Sequence, residues 1–422
     1  MWSPASPSTR ESTMPDHRKL GRELGLFGTD PLIGAGLPYW LPDGAIVRHS
    51  LEEYVHALER RAGYRHVHSP VLGKRELYEI SGHWSHYRDD MYPPMDVGGE
   101  QLVLRPSLCP HHALIYRSRG RSHRELPLRL AEIGGMYRSE PSGVLGGLSR
   151  VRAIQLNDAH VFCTLDQVEA EAAAALALIR QAYDALGISP ARYRLSLPGP
   201  GGKYVPGNWS GAVDILRSVL GDLPYDEGEG EAAFYGPKID VQIADAAGRE
   251  STLSTVQVDF HQPAQFGLEY VGADGAKHRP VMVHRSIIGS VERAVAQLIE
   301  VHGGAFPAWL APVQLRLLPV SAAEVPYARE VLDRCDDLRA EIAADGSLGA
   351  RIRDGRLVPF QAVIGPQEVA AGQLSVRLRD GSRADARPVE DALASIVESV
   401  RPPSPRPASR RREPGFPVPP SR

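Results

Sequence analysis

Residues 136–162, MYRSEPSGVLGGLSRVRAIQLNDAHVF, constrain the fold more than any other stretch of the chain. The two outer segments alternate apolar and polar positions, the period of a β-strand, and the Gly/Ser-rich middle cannot continue either of them. The stretch reads as a long hairpin. It carries Arg138 and Glu140 as R-x-E, Arg150 and Arg152 on the return, then Asn157, Asp158 and His160. Cations at one end, with acids and an imidazole at the other, could hold a polyanion beside a small polar molecule. An edge hairpin with solvated charges would carry the same residues, so the pattern by itself leaves both readings open.

With 422 residues, 42% hydrophobic and 23% charged, the chain can build a large core and a second domain. A net charge of −3 gives no global basic field, although a local patch could still bind phosphates. Three cysteines, Cys109, Cys163 and Cys335, cannot form a disulfide framework and point to reducing surroundings. No apolar run approaches a membrane span, and the first residues lack a signal-peptide core. These features give a cytoplasmic, non-membrane protein as the expectation.

Residues 1–15 are Ser/Pro/Thr-rich and are expected to be a disordered tail. Apolar residues recur at helical spacing from Ile46 to Arg61, and YRHVHSPVL follows as a strand ending at Pro70. SGHWSHYRDDMY, from Ser81, reads as an irregular polar loop. QLVLRPSLCPHH gives a short strand broken at Pro106, leading to Cys109, His111 and His112. That trio reads either as a metal or thiol site or as a buried cysteine with surface histidines. After the hairpin, Thr164 with Gln167 makes a capping box, and Gly187 stops the packing helix. Ala232 to Ala244 and Thr252 to Phe260 read as paired strands, the first interrupted at Gly236-Pro237-Lys238. VMVHRSIIGSVERAVAQLIEVHGG gives a strand, Gly289 at a tight helix–strand contact, and an amphipathic helix carrying Arg293. Beyond Trp309 the order is β-α-β-β-α, a separate α/β domain of about 90 residues. The Pro/Arg-rich tail from Arg401 is expected to be disordered.

Taken together, DHRKLG, SGHW, RP-x-x-CP-x-H, YRSEPSG, L-x-RVR, NDAHVFCT, AFYGPKID, TVQVDF, PVMVHRSIIGSVER and FPAWLAPVQ resemble the threonyl-tRNA synthetases, a family of class II aminoacyl-tRNA synthetases. The resemblance runs from about Asp16 to Arg401. It implies an α+β protein: a 16–310 catalytic domain with an antiparallel sheet and flanking helices, a 311–401 anticodon-binding-like α/β domain, and a 402–422 tail. It implies a short form without the ubiquitin-like and editing domains that begin full-length bacterial relatives. The implied activity is ATP-dependent formation of threonyl-adenylate from L-threonine and transfer to the 3′ end of tRNA(Thr), by a homodimer. Arg138 would hold the α-phosphate of ATP, Glu140 the adenine edge and Arg293 the γ-phosphate, with Mg2+ accompanying the nucleotide. Arg150 would assist at the α-phosphate or the threonine carboxylate, and Gln257 would lie near the adenylate. His83 would be a proton relay at the reacting ribose. Cys109, His160 and His284 would hold one Zn2+, whose open position takes the amino group and β-hydroxyl of threonine. Asp158 would accept the hydroxyl hydrogen, Tyr235 would meet the amino group, and Lys238 would share the pocket.

Some positions depart from the family pattern. Pro-Met-Asn-Cys-Pro-Gly-His is here Pro106-Ser107-Leu108-Cys109-Pro110-His111-His112. Leu156 replaces a glutamine, Ser251-Thr252 a Trp-Gln pair, Ser286 an alanine, and Asp345-Gly346-Ser347 an Asn-Glu-Lys run. The alternatives these keep open are a paralogue activating another β-hydroxy or β-amino acid and a non-catalytic regulatory paralogue.

Overall fold

The computed structural model describes residues 16–200, 204–205 and 208–403. The tail expected at residues 1–15, and residues 404–422 of the tail expected at 402–422, lie outside the described residues. Helix α1 (His17–Glu23) is capped by Asp16, whose carboxylate accepts the Arg18 N–H. Helix α2 (Pro42–Arg61) starts four residues before the apolar periodicity does, because Pro42 occupies its first turn, where no N–H is required. Val47, Leu51, Val55 and Leu58 line its buried face. Strand β1 is only Arg65–His66, shorter than the sequence period suggests. Helix α3 (Cys109–Arg117) follows the break at Pro106.

The hairpin forms as strands β2 (Leu128–Tyr137) and β3 (Ala153–Cys163), paired antiparallel throughout. The Thr164–Gln167 capping box and the left-handed Gly187 bound helix α4 (Val168–Leu186) as the sequence indicates. Next come β4 (Arg192–Leu197), α5 (Trp209–Leu220), β5 (Tyr225–Glu229), β6 (Lys238–Ala244), β7 (Glu250–Asp259), β8 (Val281–Ser286) and α6 (Val291–His302). Residues 232–237 form a turn rather than the start of β6. Gly236 there is pressed against the strand, and a Cβ would stand 2.2 Å from the Val258 carbonyl oxygen. Gly289, at φ 62°, would place a Cβ 2.1 Å from the Leu253 carbonyl oxygen, so the tight contact expected there is present. SGHWSHYRDDMY is more ordered than expected, with helical turns at His83–His86 and Arg88–Asp90.

The main sheet runs β5-β4-β6-β7-β8-β3-β2-β1, antiparallel except at its two outermost pairs. Alternation divides each central strand between two environments. Ala159, Val161 and Cys163 of β3, Val256 and Val258 of β7, and Val281 and Val283 of β8 enter the apolar core with α2, α4 and α6. The intervening residues face the other way: Leu156, Asp158, Gln257 and His284 line a cleft, while Phe162 and Met282 join a second apolar cluster with Tyr116. Under the helices lies one buried ionic knot. Glu59 Oε1 is 2.8 Å from Arg285 Nη2 and accepts the Asn157 amide at 2.8 Å, while His66 Nε2 lies 2.7 Å from Oε2. Burial opposes the Glu59 charge, but Arg285, His66 and Asn157 outweigh it and lower the carboxyl pKa. Glu59→Leu would strand the Arg285 charge in a dry core, and should cost about 3–5 kcal/mol in chemical denaturation.

The C-terminal unit contains β9 (Leu315–Pro319), α7 (Val325–Leu332), β10 (Ala340–Ile342), α8 (Leu348–Asp354), β11 (Phe360–Ile364), α9 (Pro366–Ala371), β12 (Gln373–Leu378) and α10 (Val389–Ser399). Its sheet order is β10-β9-β11-β12 with Arg387–Pro388 at the edge, around its own core of Leu315, Leu317, Ala362, Ile364, Leu374 and Leu393. Strand β10 and helices α8 and α9 are additions to the expected β-α-β-β-α order.

Candidate active site

The period of two that defines the hairpin also builds the site. Register places Leu130, His160, His284, Gln257 and Lys238 in one row across β2, β3, β8, β7 and β6. Directly opposed residues point to the same face, so His160, His284, Gln257 and Lys238 share the cleft face. Two positions further along β3 is Asp158, and beyond it Leu156. Asp158, Leu156, Lys238, Gln257, His284 and Arg293 all line one cleft of about 340 Å³.

Where His284 enters this cleft, Cys109, His160 and His284 offer ligand atoms within 4.8 Å of one another, and all three are buried. Their environment fits a metal ion. Burial pushes the Cys109 thiol well above its ordinary pKa, with the Ser107 hydroxyl 3.0 Å away opposing it, so the thiolate there needs a cation. His160 Nε2 is buried with no hydrogen-bond partner among the described residues, Asp158 Oδ2 standing 3.7 Å away. Its other nitrogen, Nδ1, lies 2.7 Å from His112 Nδ1, and His112 Nε2 lies 3.2 Å from Glu132 Oε2. Burial raises the Glu132 pKa, but bonds from His112, Ser69 and Arg105 prevail and hold it at about 2. A carboxylate there takes the His112 Nε2–H, leaving His112 Nδ1 to accept from His160 Nδ1–H. The His160 Nε2 lone pair is then available for coordination. His284 is fixed in the same manner, its Nε2 lying 2.8 Å from Asp259 Oδ2. One thiolate and two imidazoles suit zinc and leave an open position.

At the other end Arg138, Arg150 and Arg293 gather around the cleft. Arg150 Nη2 donates to Glu140 Oε2 at 2.7 Å. Arg293 Nε donates to the Ser149 carbonyl at 3.0 Å and Nη1 to the Thr252 carbonyl at 2.5 Å. Carbonyls orient a guanidinium without cancelling its charge. Burial, then the Arg138 and Arg150 charges, push the Arg293 pKa below the usual arginine value. Glu140 balances Arg150, and the positive charge that Arg138 and Arg293 bring beside it suits a polyphosphate.

Tyr235 stands against the His284 ring at 5.2 Å between centroids, and Gln257 Nε2 braces the turn by donating to the Gly236 carbonyl. Lys238 Nζ donates to Asp240 Oδ2 at 2.5 Å. His83 differs from expectation. It is 2% exposed, its Nδ1 lies 2.8 Å from the Ser81 hydroxyl and its Nε2 3.7 Å from Cys109 Sγ. Burial, followed by the charges of His284 and Arg138, lowers its pKa to about 3, so a charge change near neutrality is not available to it as it stands. His111 and His112 are buried rather than superficial. Sequence reading missed His112 as a support, together with Glu132, Asp259 and Arg105. Nothing local marks Glu132, whose partners come from distant segments.

Residues 92–302 match the tRNA synthetase class II core domain (G, H, P, S and T), and residues 314–399 match the anticodon binding domain. The RNA binding domain of threonyl-tRNA synthetase from Cryptosporidium parvum Iowa II superposes with a TM-score of 0.86 at 33% identity, covering 92% of this chain and 99% of that one. The chain belongs to the threonyl-tRNA synthetase family. A second structure of that family, putative threonyl-tRNA synthetase ThrRS-1 from Aeropyrum pernix, gives a TM-score of 0.78 at 26% identity, covering 92% of this chain and 98% of that one. Among curated relatives, threonine–tRNA ligase 1 of Bacillus subtilis (strain 168) is 48% identical over 398 residues, and the ligase of Lactiplantibacillus plantarum is 47% identical over 405. These alignments cover 92% and 93% of this chain but 62% of each relative, so the chain spans less than two thirds of their length.

Proposed function

We propose that the protein is a threonine–tRNA ligase, which forms threonyl-adenylate from L-threonine and ATP and passes the threonyl group to tRNA. One observation carries this reading: a single cleft is lined by His284 of the Cys-His-His cluster, by Asp158 and Gln257, and by the guanidinium groups of Arg138, Arg150 and Arg293. A bound zinc ion, held by Cys109, His160 and His284, would supply an open Lewis-acidic position for the amino group and β-hydroxyl of threonine. Mg2+ would accompany ATP. Asp158 accepts the hydroxyl hydrogen, Tyr235 borders the amino group, and Lys238 with Asp240 closes the adjoining wall. Arg138 and Arg293 hold the α- and γ-phosphates, stabilising the charge that builds on the pentavalent phosphorus as the carboxylate attacks. Glu140 takes the adenine edge. Its bond to Arg150 must then open or be shared, a small cost because the Arg150 side chain is half exposed. Gln257 keeps the Gly236 turn against the adenylate. His83 borders the metal cluster, and any relay by it requires a rearrangement that frees its ring.

The domain limits at residues 310 and 401 and reading of the tRNA anticodon by residues 311–401 belong to the same proposal. So does a homodimer. Supporting it, Leu72, Met95 and Val97 are exposed on the small sheet of Leu72–Lys74, Met95–Val97 and Glu100–Leu104. A cytoplasmic site accords with the absence, among the described residues, of any helix long and apolar enough to cross a membrane.

Amino-acid-dependent ATP–pyrophosphate exchange tests the reading. Threonine should give the strongest signal. Serine offers the same amine and hydroxyl and lacks only a methyl, so it should be activated about 10–200-fold less well rather than excluded. Valine leaves the hydroxyl-binding groups unpaired and should fall by about 10⁴-fold or more. Leu156, an apolar side chain in the cleft beside Asp158, favours one second reading, a paralogue for another β-hydroxy or β-amino acid. Exchange with such an acid and none with threonine would establish that reading. No exchange with any amino acid would leave the regulatory paralogue.

A further inference from the structure

In the DHRKLG segment, Asp16, His17 and Arg18 line a cavity that shares Arg138, Glu140, Arg150 and Arg293 with the cleft, and His17 ties α1 to both α6 and the hairpin loop. His17 opens α1 and is 5% exposed. Its Nδ1 lies 2.6 Å from Glu300 Oε1 on α6, which also accepts the His17 backbone N–H at 3.1 Å. Glu300 Oε2 accepts the Ala246 N–H from the β6–β7 turn at 2.7 Å. With both Glu300 oxygens accepting, His17 Nδ1 is the donor of its pair, and Nε2 carries a lone pair. That lone pair meets the Leu148 N–H of the hairpin loop at 3.3 Å. Asp16, His17 and Glu300 are close enough to suggest a cation site, but both ring nitrogens are already engaged.

The contact falls at a sensitive point of the loop. Leu148 is fully buried, the next carbonyl, Ser149, receives Arg293 Nε, and the next side chain, Arg150, clasps Glu140. Just before Leu148, Gly147 has φ 59°, and a Cβ there would stand 2.7 Å from His17 Nε2 and 2.6 Å from Arg18 Cγ. The loop therefore rests on α1 at close range and by a directed hydrogen bond.

We propose that His17 is a positioning residue for ATP. By accepting the Leu148 N–H it holds the return arm of the hairpin loop, and through Ser149 and Arg150 it keeps the guanidinium groups in register for the polyphosphate. This rests on the ATP-binding role given to the cleft. The two ring nitrogens can be separated by substitution. In His17→Asn the amide N–H falls where Nδ1 stands and can serve Glu300, but nothing reaches Leu148. In His17→Gln the amide oxygen reaches the place of Nε2 and can accept from Leu148, while the bond to Glu300 is lost.

Two measurements on the full chain decide the matter. In amide hydrogen exchange, residues 145–150 should lose protection in H17N and keep most of it in H17Q. In ATP–pyrophosphate exchange, H17N should raise the KM for ATP about tenfold, with the KM for threonine within about twofold, and H17Q should stay within about threefold for both. Gly147→Ala replaces no residue of α1 or α6, presses the loop away from His17 Nε2 from the loop side, and should reproduce the H17N pattern even if the His17 variants fold poorly. Loop protection in H17N equal to wild type, an equal rise of both KM values, or H17Q more impaired than H17N would overturn the proposal. Wild-type protein without exchange for any amino acid would overturn the ATP reading instead, and the loop protection pattern would still test the hydrogen bond.

Discussion

Cys109→Ser is expected to abolish the zinc binding proposed for the cluster and to lower threonine-dependent ATP–pyrophosphate exchange by about a thousandfold or more. The reason lies in how the cluster is assembled. His160 and His284 come from adjacent strands with their imidazoles locked by His112 and Asp259, so they stay in place when the thiol is lost. Serine keeps the volume and the contact with Ser107 but cannot become an anion under these conditions. Two neutral imidazoles remain, which is too few ligands for tight zinc binding. Metal content by mass spectrometry and exchange rates should fall together, while the melting temperature of the metal-free protein stays near that of metal-free wild type. Glu132→Gln gives the graded comparison. It leaves all three ligands and weakens only the orientation of His160 through His112, so metal affinity should drop by about 10–100-fold. A C109S protein with stoichiometric zinc and full exchange would sink the metal assignment.

The features legible in the sequence were those whose cause is local. Alternation around Met136 to Phe162 marks a hairpin whichever domain contains it, and Thr164, Gln167 and Gly187 mark the ends of a helix because caps act within one turn. Strand β2 was underestimated at its start because its first half, LRLAEI, is apolar on both faces apart from Arg129 and Glu132. The carboxylate of Glu132 reads as solvated until Arg105, Ser69 and His112 are brought around it by the fold. In the C-terminal unit, a three-residue strand at Ala340–Ile342 and helices of seven and six residues are too short for periodicity to register. The Cys109, His160 and His284 grouping is of another kind. No spacing rule links them, because β3 and β8 are neighbours in the sheet but far apart in sequence. Only resemblance brought them together before the fold did, and resemblance could not foresee that His83 would be packed against the thiol.

Arg293→Gln should lower the rate of adenylate formation by about 10²–10³-fold while leaving the ligand-free protein as stable as wild type, or more so. These two expectations come from one arrangement. Ser290 caps α6 and places Arg293 in its first turn, so the guanidinium sits beside a helix N-terminus that is itself partly positive. The Ser149 and Thr252 carbonyls hold Nε and Nη1, and among the described residues Nη2 has no partner. Burial and the charges of Arg138 and Arg150 all disfavour the cation, and none of its hydrogen-bond partners is a carboxylate. The ligand-free site is thus electrostatically strained in a manner that a polyphosphate relieves. Glutamine can retain a bond to one carbonyl without the charge, so the strain is removed together with the means of catalysis. Lysine keeps the charge but loses the fork that spans both carbonyls, and R293K should recover binding better than rate. Thermal melts with and without a non-hydrolysable ATP analogue provide the check: the analogue should raise the wild-type midpoint clearly and the R293Q midpoint much less. A variant that melts well below wild type without ligand, yet gains as much from the analogue, would mean that Arg293 braces the helix instead of holding phosphate.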